Sequence, residues 1–292
     1  MLGFFCYDKE MAAVFNIFYL IFALLIFFFG AILASFLNVV IYRTAAECEL
    51  IKDLKGKLLK LPPFWRGRSL TDCCQKPIKA VHNIPVISYL VLQGKCPYCQ
   101  AKITKKHFFT ELLAGLYSLF FAYLIWQQVN IGQIVNPVLI ITQYFFFLLL
   151  IFVVIADFQY LIIPDFFIIL LSILAIGWLG ANWQSGLIAI LVSSLFFTLL
   201  YFGASWVFKK EALGLGDIKL MLPLAFVLGW PWVLLAIFLS FIVGGFFATI
   251  LLLFKQKKIG QALPFGPFLI VGFILSYFWA APIWAWYLSL II

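Results

Sequence analysis

Long apolar runs separated by short polar segments dominate the chain. The runs lie at about residues 12–41, 108–127, 138–156, 164–181, 186–208, 218–254 and 263–291. An α-helix needs roughly 20 apolar residues to cross a bilayer, so most of these runs have the length of a single pass. The pattern predicts an all-α polytopic membrane protein.

The run 218–254 is too long for one ordinary pass, and Gly229-Trp230-Pro231 interrupts it. Lysine clusters flank this run on both sides, Lys209-Lys210 before it and Lys255-Gln256-Lys257-Lys258 after it. Such clusters favour the cytoplasmic side, so an even number of crossings must separate them. We therefore expect two helices, 218–229 and 232–254, and about eight transmembrane helices in all.

Composition and charge placement narrow the class of protein. Hydrophobic residues make up 66% of the 292 residues and charged residues 11%, with a mean hydropathy of +1.13, which excludes an ordinary soluble domain. The net charge is +9, but 13 of the 20 Lys and Arg residues fall within 42–107. That placement indicates a cytoplasmic loop rather than a nucleic-acid groove, so we expect the lipid bilayer as a partner and no nucleic acid.

These observations divide the chain into three parts. Residues 1–41 form the first transmembrane helix, and residues 42–107 form a basic, cysteine-containing cytoplasmic loop domain. Residues 108–292 form a seven-helix membrane domain.

An aspartate follows two glycines at the start of the short predicted helix 218–229, in Gly214-Leu215-Gly216-Asp217-Ile218-Lys219-Leu220. A helix of about 12 residues is only about 18 Å long, so it must begin below the headgroups to cross the bilayer. Asp217 is thereby drawn to the edge of the membrane. An ionisable group is costly there, which makes it a candidate for function.

Asp157 is the best candidate partner for Asp217. It ends the apolar run 138–156, at the end of a helix where the helix dipole disfavours a carboxylate. Asp165 instead follows Pro164, so we expect it in the first turn of the next helix, where the dipole stabilises it and its role is structural.

Two carboxylates that meet at low dielectric do not both ionise, and one keeps a proton near neutral pH. The ionised member can activate a water and the protonated member can protonate an amide leaving group. Asp157 and Asp217 therefore point to aspartic proteolysis at a membrane face. The alternative is a small-solute transporter with proton-carrying acids, which predicts acids within helices rather than at their ends.

The basic loop contains four cysteines with the spacing of a zinc ribbon, Cys73-Cys74 and Cys96-Pro97-Tyr98-Cys99. A cytoplasmic loop is a reducing setting, which favours a metal over a disulfide. The predicted zinc is structural, and its ligands are the four cysteines. Adjacent cysteines rarely bind one ion with relaxed geometry, so the alternatives are that Asp72, His82 or water is the fourth ligand, or that the site is empty.

Taken in order, the motifs resemble one family, the type IV prepilin peptidases (leader peptidases of type IV pili and type II secretion). The stretches that carry the resemblance run through most of the chain: Ala34 to Arg43, Arg68 to Ile78, His82 to Cys96, Thr110 to Gly115, Asp157 to Asp165, Gly214 to Leu220 and Pro264 to Phe268. The chain departs from the family pattern at Thr71, where a cysteine is expected and Cys73 stands nearby.

The resemblance implies an activity. Asp157 and Asp217 correspond to the catalytic pair of the family. The substrates are prepilins or pseudopilins, cleaved after a glycine on the cytoplasmic side of a short basic leader, in the bacterial cytoplasmic (inner) membrane. Many members then methylate the new amino terminus with S-adenosylmethionine, and methylation is associated with a large first loop such as this one. The remaining alternative is a leader peptidase without methyltransferase activity, because no motif in the loop identifies an S-adenosylmethionine site.

Five further residues are candidates for a substrate groove. Gly214 and Gly216 give the close backbone approach that an extended peptide needs. Pro264 and Gly266 belong to a rigid stretch that lines the groove or simply begins a helix. Glu111 recognises the basic leader or the new amino terminus, or else caps its own helix.

Overall fold

The computed structural model describes residues 3–51, 61, 63, 69–71, 73–74, 76–131, 136–178, 183–209, 213–255 and 261–291, with the side chains of 3–19, 208, 288, 290 and 291 left aside. The helices are α1 (Gly3–Glu47), α2 (Ile87–Val91), α3 (Lys105–Asn130), α4 (Pro137–Tyr160), α5 (Asp165–Ala175), α6 (Trp183–Phe208), α7 (Leu215–Leu228), α8 (Trp232–Leu253) and α9 (Gly266–Ile291). Short 3₁₀ helices cover Ala80–Asn83 and Ile176–Trp178. Within the described ranges, β structure is limited to two bridged residue pairs.

The prediction of an all-α polytopic membrane protein is confirmed. In the described part of the chain, six helices are long and apolar enough to cross a bilayer: α1, α3, α4, α6, α8 and α9. The helices α5 and α7 are shorter, and α7 has 14 residues, or about 21 Å. Each of the eight predicted segments corresponds to one of these helices.

The predicted break in the run 218–254 is also confirmed. Helix α7 ends at Leu228 and α8 begins at Trp232. Gly229 between them has a φ of 71°, a left-handed conformation that glycine adopts without a steric penalty. The Gly229 N–H still donates to the Ala225 carbonyl, so the last turn of α7 is closed.

The first helix ends later than the hydropathy pattern predicts. Apolar residues become sparse after Ile41, yet α1 continues to Glu47. Arg43 is only 4% exposed, and its guanidinium donates a hydrogen bond to the Pro63 carbonyl at 2.8 Å. Ala45 and Ala46 are buried as well. Packing on the rest of the chain, rather than lipid, therefore sets the end of this helix.

The chain divides into two compact units, Met1–Val135 and Asn136–Ile292. In the first, α1 and α3 pack closely where small residues meet. A Cβ at Gly30 would clash with Ser118 and Ala114, and a Cβ at Gly115 would clash with Phe27. Small residues at helix crossings allow this kind of close approach in membranes.

In the second unit, α7 packs against α5, α6 and α9, and α4 packs against α5 and α9. The core between α4 and α9 is aromatic, with Phe146 and Phe273 both fully buried and their rings 5.8 Å apart. This packing holds the end of α4 and the starts of α7 and α9, which carry the candidate site.

Candidate active site and cysteine cluster

Asp157 lies in the last turn of α4 and is 6% exposed. Its Oδ2 accepts a hydrogen bond at 3.0 Å from the backbone N–H of Gly266, the first residue of α9. The end of α4 alone disfavours a carboxylate, but the start of a second helix supplies an N–H donor and the opposite end of a dipole. The environment of Asp157 is therefore made by two helix ends rather than one.

Asp217 lies in the first turn of α7 and is 7% exposed. Its backbone N–H donates to the Gly214 carbonyl at 3.1 Å, and its carboxylate accepts from the Gly214 backbone N–H. The charge of Asp157 acts on the Asp217 carboxyl through space. The structure thus brings together the two aspartates that the sequence pairs, and it buries both of them at helix ends.

The glycines near the two aspartates lie against other side chains of the protein, where a Cβ would be crowded. A Cβ at Gly266 would lie 2.8 Å from Asp157 Oδ2, and a Cβ at Gly214 would lie 3.3 Å from Asp217 Oδ2. At Gly216 the nearest side chain is that of Ile163, at 3.4 Å from the position of a Cβ. The sequence predicts that Gly214 and Gly216 give clearance to a substrate. The contacts in the structure are with the carboxyl groups and with Ile163.

Ile163 is a residue of the site that the sequence did not single out. Its side chain packs beside both Gly216 and Gly266, with Cδ1 at 3.2 Å from the position of a Cβ on Gly266. In the sequence it is one of three consecutive aliphatic residues before Pro164, and nothing in that run distinguishes it from its neighbours. Only the fold shows that it lies against the two glycines beside the aspartates.

Asp165 and Pro264 lie near the ends of helices as well. Pro164 precedes Asp165, the first residue of α5, and Asp165 Oδ1 forms a 2.7 Å ion pair with the Lys219 ammonium. Both side chains of this pair are at least half exposed. Pro264 is buried in the non-helical stretch 261–265 that precedes α9, so a helix-free stretch does precede this helix.

Glu111 belongs to the first unit. It is the seventh residue of α3, and its Oε2 accepts a 2.8 Å hydrogen bond from the backbone N–H of Val86. The Ser35 side chain also hydrogen-bonds to this carboxylate. Glu111 therefore binds the segment that precedes α3 and the helix α1, and it does not cap its own helix.

The cysteine pairs lie in two hairpin turns. In the first, Ile78 donates to Ser69 and Thr71 donates to Lys76, each at 2.9 Å. In the second, Ile103 donates to Gly94 and Cys96 donates to Ala101, each at 2.8 Å. The bridged pairs Leu70–Pro77 and Lys95–Lys102 mark the same two hairpins. Two hairpins that each carry a cysteine pair are the arrangement of a zinc ribbon, as predicted.

The four sulfur atoms converge. Cys73, Cys74, Cys96 and Cys99 place their Sγ atoms within 4.8 Å of one another. The Cys73–Cys99 distance is 3.0 Å and the Cys74–Cys96 distance is 3.9 Å. Sulfurs at about 2.3 Å from a tetrahedral zinc are about 3.8 Å apart, so the set, whose separations lie between 3.0 and 4.8 Å, fits a Zn²⁺ ion after small shifts of the sulfurs.

The adjacency of Cys73 and Cys74 does not keep either sulfur out of the cluster. The Thr71 hydroxyl, at the position where the sequence resemblance predicts a cysteine, lies 3.1 Å from Cys74 Sγ. Of the alternative ligands, His82 is not part of the sulfur cluster, and Asp72 lies outside the described residues.

Backbone N–H donors lower the pKa of one thiol of the cluster, that of Cys96. Burial raises the pKa of Cys96, but the backbone N–H groups of Tyr98 and Cys99 act in the opposite direction, and the pKa falls to about 7. Burial and the neighbouring thiols raise the pKa of Cys73 instead. Because a metal binds the thiolate, a cluster with one readily ionised thiol is suited to begin coordination.

Comparison with known proteins gives matches along both units. The profile of the bacterial peptidase A24 N-terminal domain matches residues 28–126, and the profile of the type IV leader peptidase family matches residues 144–249. No solved structure matches the chain.

Three similar proteins illustrate the coverage, and each is named prepilin leader peptidase/N-methyltransferase. The protein from Stutzerimonas stutzeri is 32% identical over 89% of this chain and 91% of its own length. The protein from Pseudomonas aeruginosa is 31% identical, with coverages of 92% and 94%. The protein from Neisseria gonorrhoeae is 32% identical, with coverages of 83% and 85%.

Proposed function

The chain belongs to the type IV leader peptidase family, and on that premise we propose that it removes the short basic leader from type IV prepilins or type II secretion pseudopilins and methylates the new amino terminus. The observation that carries the peptidase part is the burial of Asp157 and Asp217, from different helices, where the charge of one acts on the other. A transporter with proton-carrying acids fits less well, because both aspartates lie at helix ends.

The proposed cleavage uses the two aspartates as an acid and base pair. Two carboxyls this deeply buried share one proton, because like charges at low dielectric do not both form. The ionised member takes a proton from water, and the water oxygen attacks the carbonyl carbon of the scissile bond. The protonated member gives its proton to the amide nitrogen as the C–N bond breaks. The products are the leader with a free carboxylate and the mature pilin with a free amine.

The Gly266 N–H has a positioning role in this scheme. Its 3.0 Å hydrogen bond fixes one oxygen of Asp157, so the other oxygen has a defined direction for the water and the shared proton. The apolar Ile163 side chain packs beside the same contact, with Cδ1 at 3.2 Å from the position of a Cβ on Gly266. Both features limit the freedom of the catalytic carboxylate.

The methylation step needs S-adenosylmethionine as methyl donor. When bound, this group would supply the methyl that the pilin amine takes up, and it would leave as S-adenosylhomocysteine while the displaced amine proton goes to water. The names of the relatives support this step. We further propose that Cys73, Cys74, Cys96 and Cys99 hold a structural zinc, which supplies cross-links between the two hairpins of a module with little apolar core.

We place the protein in the bacterial cytoplasmic (inner) membrane with the active site facing the cytoplasm. Six helices of spanning length support a multi-pass protein. The lysine clusters next to Asp217 and Pro264 support the orientation, since such residues favour the cytoplasmic side.

The test is mass spectrometry of a prepilin incubated with the purified protein, with and without S-adenosylmethionine. We expect leader removal in both cases and an added methyl group only with the donor. Asp157→Asn and Asp217→Asn each remove the carboxyl that must ionise or donate, so each lowers cleavage by at least about 10³-fold.

Asp165→Asn is the matched control, because it makes the same chemical change at an exposed carboxylate eight residues along the chain from Asp157. We expect it to lower the cleavage rate by less than about fivefold, because the carboxylate that it removes is exposed. Substantial cleavage by either Asp157→Asn or Asp217→Asn contradicts the two-aspartate mechanism. Cleavage without any methyl transfer by the parent protein leaves a leader peptidase and removes the methyltransferase part.

A further inference from the structure

A short segment of the first unit, residues 81–91, exposes several apolar side chains. Leu90 is 60% exposed and Val91 is 74% exposed. Three more apolar residues of the segment are exposed as well: Val81, Ile84 and Ile87. A cluster of exposed apolar residues marks a surface that binds a protein or a membrane. The position of the segment, its backbone and its charged neighbours decide between these two partners.

Contacts with α3 give the depth of this segment. The Val86 N–H donates to Glu111 Oε2 at 2.8 Å. Glu111 is the seventh residue of α3, and it lies three residues, or about 5 Å, inside the apolar run 108–127. The Tyr89 and Phe108 rings, 5.0 Å apart, form a second contact at the start of that run. The segment therefore lies beside α3 at a level where α3 is already within the membrane.

Helix α1 indicates a similar depth. The Ser35 side chain hydrogen-bonds to the Glu111 carboxylate. Ser35 lies six residues, or about 9 Å, inside the apolar run 12–41. The Asn38 amide donates to the Thr110 hydroxyl at 2.6 Å, so α1 and α3 lie side by side at this level. The two spanning helices thus place the segment about 5–9 Å inside the ends of their apolar runs.

Backbone N–H groups of the segment donate within the chain. The Ile87 N–H donates to the Pro85 carbonyl at 2.6 Å, across a turn at Val86 whose φ of 62° and ψ of −51° are strained for a β-branched residue. The Ile84 N–H donates to the Ser88 hydroxyl at 2.8 Å, and the Ser88 N–H donates to the Ile84 carbonyl at 2.9 Å. Acyl chains accept no hydrogen bonds, so an irregular segment at this depth needs such internal bonds.

Lysines flank the apolar segment on both sides. Six of them lie between residues 76 and 110, and this stretch contains no aspartate or glutamate. All six are exposed: Lys76, Lys79, Lys95, Lys102, Lys105 and Lys106. An apolar surface bordered by lysines is typical of a segment that lies in the membrane interface. The lysines complement the charge of anionic lipid headgroups.

The exposed apolar surface continues from the segment onto α3. The Phe108 ring, which contacts Tyr89, lies 5.5 Å from the Phe109 ring. Phe109 begins a line of exposed apolar residues with helical spacing along α3: Phe109, Leu113, Leu116 and Phe120. Exposed apolar residues of a spanning helix contact acyl chains, which are as apolar as these side chains. The segment adjoins that lipid-facing surface.

We propose that residues 81–91 insert into the interface of the bilayer, with Ile87, Leu90 and Val91 among the upper acyl chains and the flanking lysines on anionic phospholipid headgroups. Interfacial segments bury their apolar face about 5–10 Å below the headgroup boundary, which agrees with the depth along α1 and α3. A soluble protein partner does not reach side chains at this depth. The inference requires neither the proteolysis nor the methylation proposed above, only that α1 and α3 span a bilayer.

The first experiment uses the unaltered full-length protein in nanodiscs of phosphatidylcholine and phosphatidylglycerol. The phosphatidylglycerol carries a diazirine near the carbonyl end of one acyl chain, and mass spectrometry identifies the labelled residues after irradiation. We expect label on Ile87, Leu90 or Val91 at a yield within about threefold of that on Phe109, the internal reference. Label on Phe109 without label on residues 81–91 overturns the proposal.

The second experiment removes apolar surface from the segment with the double variant Leu90→Gln and Val91→Gln. Both side chains are mostly exposed, so we expect the fold to tolerate the change. We expect lipid labelling of residues 81–91 to fall at least about tenfold, because a glutamine amide among acyl chains loses its hydrogen bonds to water. Unchanged labelling overturns the insertion.

Val129→Gln is the matched control for the double variant. It makes the same kind of change at a residue that is 54% exposed in the last turn of α3, outside the run 108–127. We expect labelling of residues 81–91 to stay within about twofold of the parent. Thermal unfolding of both variants in detergent shows whether the fold is kept, and the first experiment does not depend on either variant.

The third experiment tests the lysines through the headgroup preference. In the parent protein, we expect photoactivatable phosphatidylglycerol to label the segment more than photoactivatable phosphatidylcholine does, since each lysine near the surface strengthens anionic lipid binding about fivefold. Lys95→Gln with Lys102→Gln should remove most of this preference, whereas Lys95→Arg with Lys102→Arg should keep it. Equal labelling of the parent by the two lipids overturns the assignment to anionic headgroups.

All three measurements are made without prepilin or methyl donor, so failure of either proposed activity does not change their outcome. A protein partner gives a different result. In that case the lipid does not label residues 81–91, and a prepilin peptide protects them from hydrogen exchange. That result assigns the apolar surface to a polypeptide and overturns the proposal.

Discussion

The two units each carry a polar site near helix ends, but they build it differently. In the second unit the aspartates are 6–7% exposed, and the backbone N–H groups of Gly266 and Gly214 donate hydrogen bonds to them. In the first unit the Glu111 carboxylate accepts hydrogen bonds from the Val86 N–H and the Ser35 side chain. One arrangement places two carboxyls where the charge of one acts on the other, and the other ties three segments of the chain together.

This difference fits two roles, one chemical and one structural. Proteolysis by a carboxyl pair depends on the position and burial of two groups, because the shared proton exists only at low dielectric. A carboxyl that accepts hydrogen bonds from two other segments instead fixes their positions, as Glu111 fixes the turn at Val86 beside α1 and α3. Near the aspartates, Gly214 and Gly266 allow the carboxyl groups to approach the backbone closely.

The largest effect that tests this contrast is expected at Gly266. A methyl group added by Gly266→Ala lies 2.8 Å from Asp157 Oδ2, so the carboxylate must leave its N–H donor. A displacement of about 1 Å at a catalytic group costs about 100-fold in rate, and we expect at least that loss of leader cleavage. The measurement is the initial rate of leader removal at saturating prepilin.

Gly245→Ala is the matched control, because a Cβ there meets no heavy atom within 4 Å. We expect its cleavage rate to be unchanged within about twofold. A Gly266→Ala protein that cleaves like the parent contradicts the role of close approach at Asp157.

A smaller effect is expected at the cysteine cluster. Cys74→Ser replaces a thiolate whose sulfur lies 3.9 Å from Cys96 Sγ, and we expect zinc affinity to fall more than tenfold. Metal analysis of the purified protein before and after dialysis against a chelator measures this loss. Cys48→Ser changes an exposed free cysteine outside the cluster, so it should retain zinc. Absence of zinc from the parent protein contradicts the metal assignment.

Much of this arrangement follows from local sequence features. Hydropathy predicts the eight long or short apolar helices, and Gly229-Trp230-Pro231 predicts the break before α8. The pairing of Asp157 with Asp217 also follows, because both are costly acids at the membrane edge. The spacing of the cysteines predicts their convergence, and the adjacency of Cys73 and Cys74 does not prevent it.

Other features depend on contacts between distant segments. The extension of α1 to Glu47 depends on the burial of Arg43, and a hydropathy pattern ends at such a charge. Ile163 acquires its place only when α9 and α7 bring Gly266 and Gly216 to it. The turn at Val86 and its place beside α1 and α3 arise from the meeting of three segments. A local sequence pattern does not predict contacts between segments that are distant along the chain.

The smallest effect is expected at the ion pair between Asp165 and Lys219, which joins the starts of α5 and α7. Both side chains are at least half exposed, so water screens the pair and its contribution is about 0–1 kcal/mol. Asp165→Asn, Lys219→Met and the double variant should each lower the cleavage rate by less than about fivefold. Their effects should not add, because each single change already removes the one interaction that they share.

The ion pair also tests which acid of the Asp157 to Asp165 motif is catalytic. A positioning role through the start of α7 predicts that the partial loss in Asp165→Asn and in Lys219→Met is equal, and that high salt imitates it in the parent protein. A catalytic role for Asp165 predicts a loss of about 10³-fold in Asp165→Asn and a much smaller one in Lys219→Met. That second result means that Asp165, and not Asp157, is the partner of Asp217 in catalysis. The exposed carboxylate at the start of α5, rather than buried Asp157, would then work with Asp217.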